Sequence, residues 1–163
     1  MQFIVYLLLL GVILILQTTV LETITIAGIK PDLVMLLVVL SGFLLGTKEG
    51  AFLGFFGGIV EDLFTGNYIG LNALSKMAAG YLAGVAGERL YRENIPVATI
   101  VTFFTSLAGL TVNYLLLLYL DIYVSPLYAL FRVAIPDAAY TAVLAPFFFW
   151  RIFRYVQIRS RDF

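Results

Sequence analysis

Few residues in this chain could do chemistry, and the absences narrow the choice first. There is no cysteine and no histidine among the 163 residues. Thiolate nucleophiles, disulfides, the usual zinc ligand sets and histidine proton shuttles are therefore excluded. What remains is a set of charged and amide residues inside apolar segments: Glu61, Asp62, Asn72, Lys76, Asn113, Arg132 and Asp137, with Gln17 near the end of the first segment. Paired carboxylates can do acid–base work. Glu61 and Asp62, however, are adjacent, and on a helix they point about 100° apart, so they do not converge on one substrate atom. No repeated Asp-x-x-x-Asp signature and no nucleophile beside a base is visible. The sequence reads as non-enzymatic, with no catalytic residue, no metal site and no cofactor. A charge at the centre of a membrane helix costs about 2.5–3.5 kcal/mol, so these groups need partners. We expect an outward-facing polar pocket or a charge network, with Lys76 and Arg132 as candidate partners of Asp137.

The elements that must position them are membrane helices. Hydrophobic residues make up 62% of the chain and charged residues only 12%, against roughly 25% in soluble domains. Mean hydropathy is +1.02. At about 20 residues per span, the chain is expected to be an all-α integral membrane protein. It would form one domain over residues 1–163, with six transmembrane helices near 3–21, 32–47, 50–64, 69–87, 96–120 and 127–150. The first block lacks a basic leader and a small-x-small cleavage site, so it reads as a retained span. Lys48-Glu49 is expected to form a tight turn. One helix over 32–64 would be about 50 Å long, beyond a hydrocarbon core of about 30 Å. Thr65-Gly66-Asn67 is turn chemistry, and Pro96 suits the first turn of span five. Pro136 and Pro146 are tolerable inside a membrane helix.

Lysine and arginine placement sets the expected orientation. With both termini cytoplasmic, Lys48, Arg89, Arg92, Arg151, Arg154, Arg159 and Arg161 lie inside, and only Lys30 lies in an outer loop. All the intramembrane polar residues then fall in the outer leaflet. Tyr114, Tyr119, Tyr123 and Tyr128 form an outer aromatic belt, and Trp150 with Tyr155 an inner one. The basic tail from Arg151 to Arg161 reads as a topology determinant and anionic-lipid contact, not as a nucleic-acid patch.

Small residues recur at helical spacing. Gly50, Gly54 and Gly58 share a face, with Gly57 beside it, and Gly80 and Gly84 repeat the theme with Ala79, Ala83 and Gly87. Such faces let backbones approach closely in lipid. They either pack spans three and four on each other or leave a face for another protein's transmembrane helix, and the two readings are compatible.

Several short motifs then stand together. Gln17 to Thr19 reads Gln-Thr-Thr, and Lys30 to Leu33 reads Lys-Pro-Asp-Leu. A glycine-rich span three ends in Glu-Asp-Leu-Phe-Thr-Gly, followed by Ile-Gly-Leu-Asn-Ala-Leu (Ile69 to Leu74) and Gly-Tyr-Leu (Gly80 to Leu82). This resembles MreD, the rod shape-determining membrane protein family of bacteria. The resemblance implies a multi-pass inner (plasma) membrane subunit of the cell-elongation complex, supporting peptidoglycan synthesis at the lateral wall. It implies work beside an MreC-like single-span protein, with MreB, RodA and a class B transpeptidase in the same complex. The family is also similar in fold to substrate-binding S-components of energy-coupling-factor vitamin transporters. The alternative expectation is therefore an S-component-like bundle with an outward-facing ligand pocket.

Overall fold

The computed structural model describes residues 2–19, 32–66 and 68–161. The expected first outer loop with Lys30, Asn67 of the next turn and the Tyr155 side chain lie outside the described residues. The described residues are helical almost throughout. The elements are α1 (Gln2–Thr19), α2 (Leu33–Leu45), α3 (Thr47–Thr65), α4 (Leu71–Arg89), α5 (Ile95–Tyr119), α6 (Pro126–Tyr128), a π-helical segment (Ala129–Ala134) and α7 (Ile135–Arg161).

The centre of the bundle is α2. Eleven consecutive residues, Val34 to Leu44, are buried, because α1, α3, α4, α5 and α7 all pack against it. A helix apolar on every side must be covered on every side. Met35, Val39 and Phe43 meet Ala79, Ala83, Ala98 and Phe149 in one core, while Leu10, Leu14, Val34 and Val38 join α1 to α2 in a second. The outer helices turn apolar side chains outward. Ile95–Tyr119 and Pro126–Arg154 are long and apolar enough to cross a membrane, and only 33% of each apolar window is buried. That burial suits a helix whose other face is covered by something apolar.

The joint between α2 and α3 differs from the expected Lys48-Glu49 turn. The break is one residue, Gly46, at φ 127°, a conformation L side chains rarely adopt. Thr47, Lys48 and Glu49 already belong to the first turn of α3, where an acidic side chain complements the positive helix end. At the other end of α3, Gly66 takes the left-handed conformation at φ 69° and donates its N–H to the Asp62 carbonyl, a regular helix stop.

The last rod also departs from expectation. It does not end near Trp150: α7 runs on to Arg161, so the basic tail is helical. Near its start, the Ile135 N–H bonds the Leu130 carbonyl, five residues back. Pro136 follows and has no N–H to give to the Arg132 carbonyl. A wide turn directly before such a proline absorbs the missing bond.

Candidate functional site

The strongest packing in the fold joins α3 to α4, and it is made of glycine. A Cβ added at Gly54 would meet the Lys76 and Met77 backbone, at Gly58 that of Asn72 and Ala73, at Gly84 that of Gly46 and Thr47, and at Gly87 that of Phe43. Gly42, Gly50 and Gly80 stand against one another in the same way, and a Cβ on any of them would meet main chain at less than 3.0 Å. Gly57 points instead at Val34, Leu10 and Val38. The sequence left these faces either packing spans three and four together or open to a partner's helix. Gly50, Gly54, Gly57, Gly58, Gly80 and Gly84 are all buried, and their space is taken by this chain's own backbone and core.

That packing brings polar side chains from four helices together at one end of the bundle. The Lys76 ammonium is 1% exposed. It stands 2.9 Å from Asp32 Oδ2 and 2.5 Å from Glu61 Oε2, and it donates to Asn72 Oδ1 at 3.3 Å. A lysine has three donors and no acceptor, and three oxygens of this chain stand around it. Asp32, from just before α2, divides its two oxygens: Oδ2 faces Lys76, while Oδ1 accepts the Met35 N–H at 2.9 Å and caps α2. Gln17 of α1 completes this side. Its amide nitrogen donates to Glu61 Oε1 at 3.4 Å, and its oxygen accepts the Leu33 N–H at 3.2 Å.

Asp62 has a different task. It is fully buried and sits on the N-terminus of α4, whose cap residue Gly70 has no side chain to offer. Oδ2 accepts the N–H of Gly70 at 2.9 Å and of Ala73 at 3.4 Å. Oδ1 accepts the N–H of Asn72 at 3.3 Å and its amide nitrogen at 2.8 Å. Leu71 N–H goes to the Tyr68 carbonyl, so the first donors of α4 are all used. A carboxylate suits the positive end of a helix. Asn72 therefore joins the two halves of the site: its nitrogen faces Asp62 and its oxygen faces Lys76.

Asp137 enters from α7. It is half-buried, accepts from Thr141 Oγ1 at 3.4 Å and lies within electrostatic reach of Asp32, Lys76 and Glu61. The cation facing it is Lys76. Arg132, expected as a second one, is exposed and makes no ion pair among the described residues. Phe131 and Val133 beside it are exposed too, and only Ala134 of the π segment is buried. Asn113 stands apart from the Lys76 network. It lines an apolar cleft of about 530 Å³ between α5 and the π segment, with Leu117, Tyr128, Ala129 and Val133.

Sequence reasoning missed two participants. In the sequence Asp32 marks only the start of a helix, although an acid there sits at the same end as Glu61. Arg92 stands out in the sequence as a topology charge only. Its Nε donates to the Gly87 carbonyl at 2.7 Å and its Nη1 to the Leu44 carbonyl at 3.2 Å, closing the C-terminal ends of α4 and α2 together.

The family model for the rod shape-determining protein MreD matches residues 1–159 of the chain. The chain belongs to the MreD family. It is thus a rod-shape-determining membrane protein. No curated protein and no solved structure matches it. Within this MreD family member, Lys76, Asp62 and Asn72 lie inside the matched region, and so do the glycines that seat them.

Proposed function

We propose that this MreD family member is a non-enzymatic, six-span subunit of the bacterial inner membrane with both termini cytoplasmic. It docks an MreC-like single-span partner and through it supports peptidoglycan synthesis at the lateral wall, in a complex that includes MreB, RodA and a class B transpeptidase. The observation that carries this reading is the family match over residues 1–159. Two features of the site support it. Lys76 is buried against three oxygens of this chain's own groups, which suits a structural cation better than a base or nucleophile. Among the described residues, Asp32, Glu61 and Asp137 outnumber the single Lys76 facing them, so the Lys76 end suits a partner segment carrying basic residues.

Since the glycine faces are filled, the partner's helix is assigned to the cleft between α5 and the π segment. The transporter alternative would place its pocket at the Lys76 network, which lines neither of the two described clefts. The test is co-purification of an MreC-like partner with wild type and with an Ala129→Trp/Val133→Trp variant that fills the cleft. Pairing should be lost while helix content and thermal stability stay unchanged. Pairing that survives the filled cleft rejects this docking face. Failure of the pair to restore rod shape in cells lacking their own copies rejects the function.

A further inference from the structure

The second cleft lies between other helices and has a different chemistry. It holds about 560 Å³ between α1, α2 and α7. Its walls are aliphatic and aromatic, from Val5 and Leu9 of α1, Leu36 of α2 and Phe148 of α7, and its single charged wall residue is Arg151. Arg151 is exposed and makes no ion pair among the described residues. The cleft exists because α1 packs along α2 and toward α3, with Leu10 beside Gly57 and Gln17 bonded to Glu61, leaving its flank open toward α7.

We propose that this cleft is a binding site for one anionic glycerophospholipid of the phosphatidylglycerol kind. An acyl chain lies along α1, and the phosphate meets the Arg151 guanidinium. The dimensions choose a lipid over a partner helix. From Val5 to Leu16 the groove rises about 16 Å at 1.5 Å per residue, about half of a hydrocarbon core of about 30 Å. That is the depth of one leaflet, where a transmembrane helix would need the full thickness. The charge chooses the headgroup. A lone guanidinium at the end of an apolar trough complements a phosphate bidentately, and basic pockets between membrane helices suit anionic headgroups. The orientation assigned under the proposed function puts this end in the cytoplasmic leaflet, but the chemistry of the site holds for either leaflet.

The test is native mass spectrometry of the full chain, released from mixed phosphatidylglycerol and phosphatidylcholine micelles. Wild type should retain one phosphatidylglycerol per chain in preference to phosphatidylcholine. Arg151→Gln should lower the retained fraction about fivefold. Arg89→Gln, another exposed arginine at the same end but outside the cleft, should leave it unchanged. Leu9→Trp should displace the lipid with Arg151 intact, with circular dichroism confirming that both variants keep their helix content. Equal retention of the two lipids, retention by Leu9→Trp, or equal loss from Arg89→Gln and Arg151→Gln overturns the proposal. So does a second copy of the chain retained in place of lipid. None of these outcomes bears on partner pairing at the α5 cleft.

Discussion

The two ends of α2 and α4 meet opposite requirements with very different means. Both helices start at the Lys76 end and finish at the Arg92 end. Starting ends expose N–H groups and attract anions, and finishing ends expose carbonyls and attract cations. At the finishing ends, the single half-buried Arg92 bridges both helices, and no buried charge is needed. At the starting ends, Asp32 and Asp62 do the capping from within the bundle. Asp32 and Glu61 then require a buried Lys76, and Asn72 connects that lysine to Asp62. A long arginine can reach a helix end from outside, whereas a short aspartate must stand beside it. Capping by aspartate inside a membrane bundle therefore imports charge, and imported charge recruits more charge until it is balanced.

This contrast can be broken in stages, each read as a thermal unfolding midpoint in detergent. Lys76→Met should have the largest effect, a loss of about 3–5 kcal/mol, because it strands Asp32 and Glu61 without their cation. Adding Glu61→Gln to it should recover part of that loss; an unchanged midpoint for Lys76→Met alone would show that the network carries no weight. Asp62→Ala should cost about 2 kcal/mol, the upper range for a helix cap. Its signature should be faster amide exchange at Asn72 and Ala73, without change at the Arg92 end. Arg92→Gln should cost about 1 kcal/mol or less, since a partly exposed cation at a helix end is screened. A loss as large as that of Lys76→Met would erase the distinction between the ends. Arg132→Gln should stay within about 0.5 kcal/mol, as for surface positions away from any network. A clear destabilisation would return Arg132 to the role of partner to Asp137.

The helical layout was legible because it rests on apolar block length and on proline and glycine punctuation, both local properties. Pro96 indeed lies in the first turn of α5. The gathering of Glu61, Asn72 and Lys76 was legible from depth alone, because residues at one level of a bundle can reach one another. What escaped was rotation about each helix axis. Arg132 is exposed, and the π segment before Pro136 shifts the rotational phase of that rod. The division of labour between Asp62 and Glu61 was hidden for the same reason. Adjacent acids differ by a large angle, one aimed at the α4 terminus and the other at Lys76. The one-residue joint at Gly46 escaped because Lys48 and Glu49 look like loop residues, while a helix start accepts them equally well.

The glycine contact between α3 and α4 also limits how this molecule can move. Backbone meets backbone at intervals of about one helical turn, from Gly58 down to Thr47 on α3 and from Ala73 to Gly84 on α4. A slide by anything other than a whole turn would drive a side chain such as Phe55 or Leu53 into the facing main chain. The pair has discrete registers and no continuous shear, and its Asp62 clamp holds one of them. Together with α2 it behaves as a rigid plate. Any response to a bound partner must then be carried by α1, by the α5–α6 loop that Tyr114 ties to the Val124 carbonyl, and by the rod that begins at the π turn.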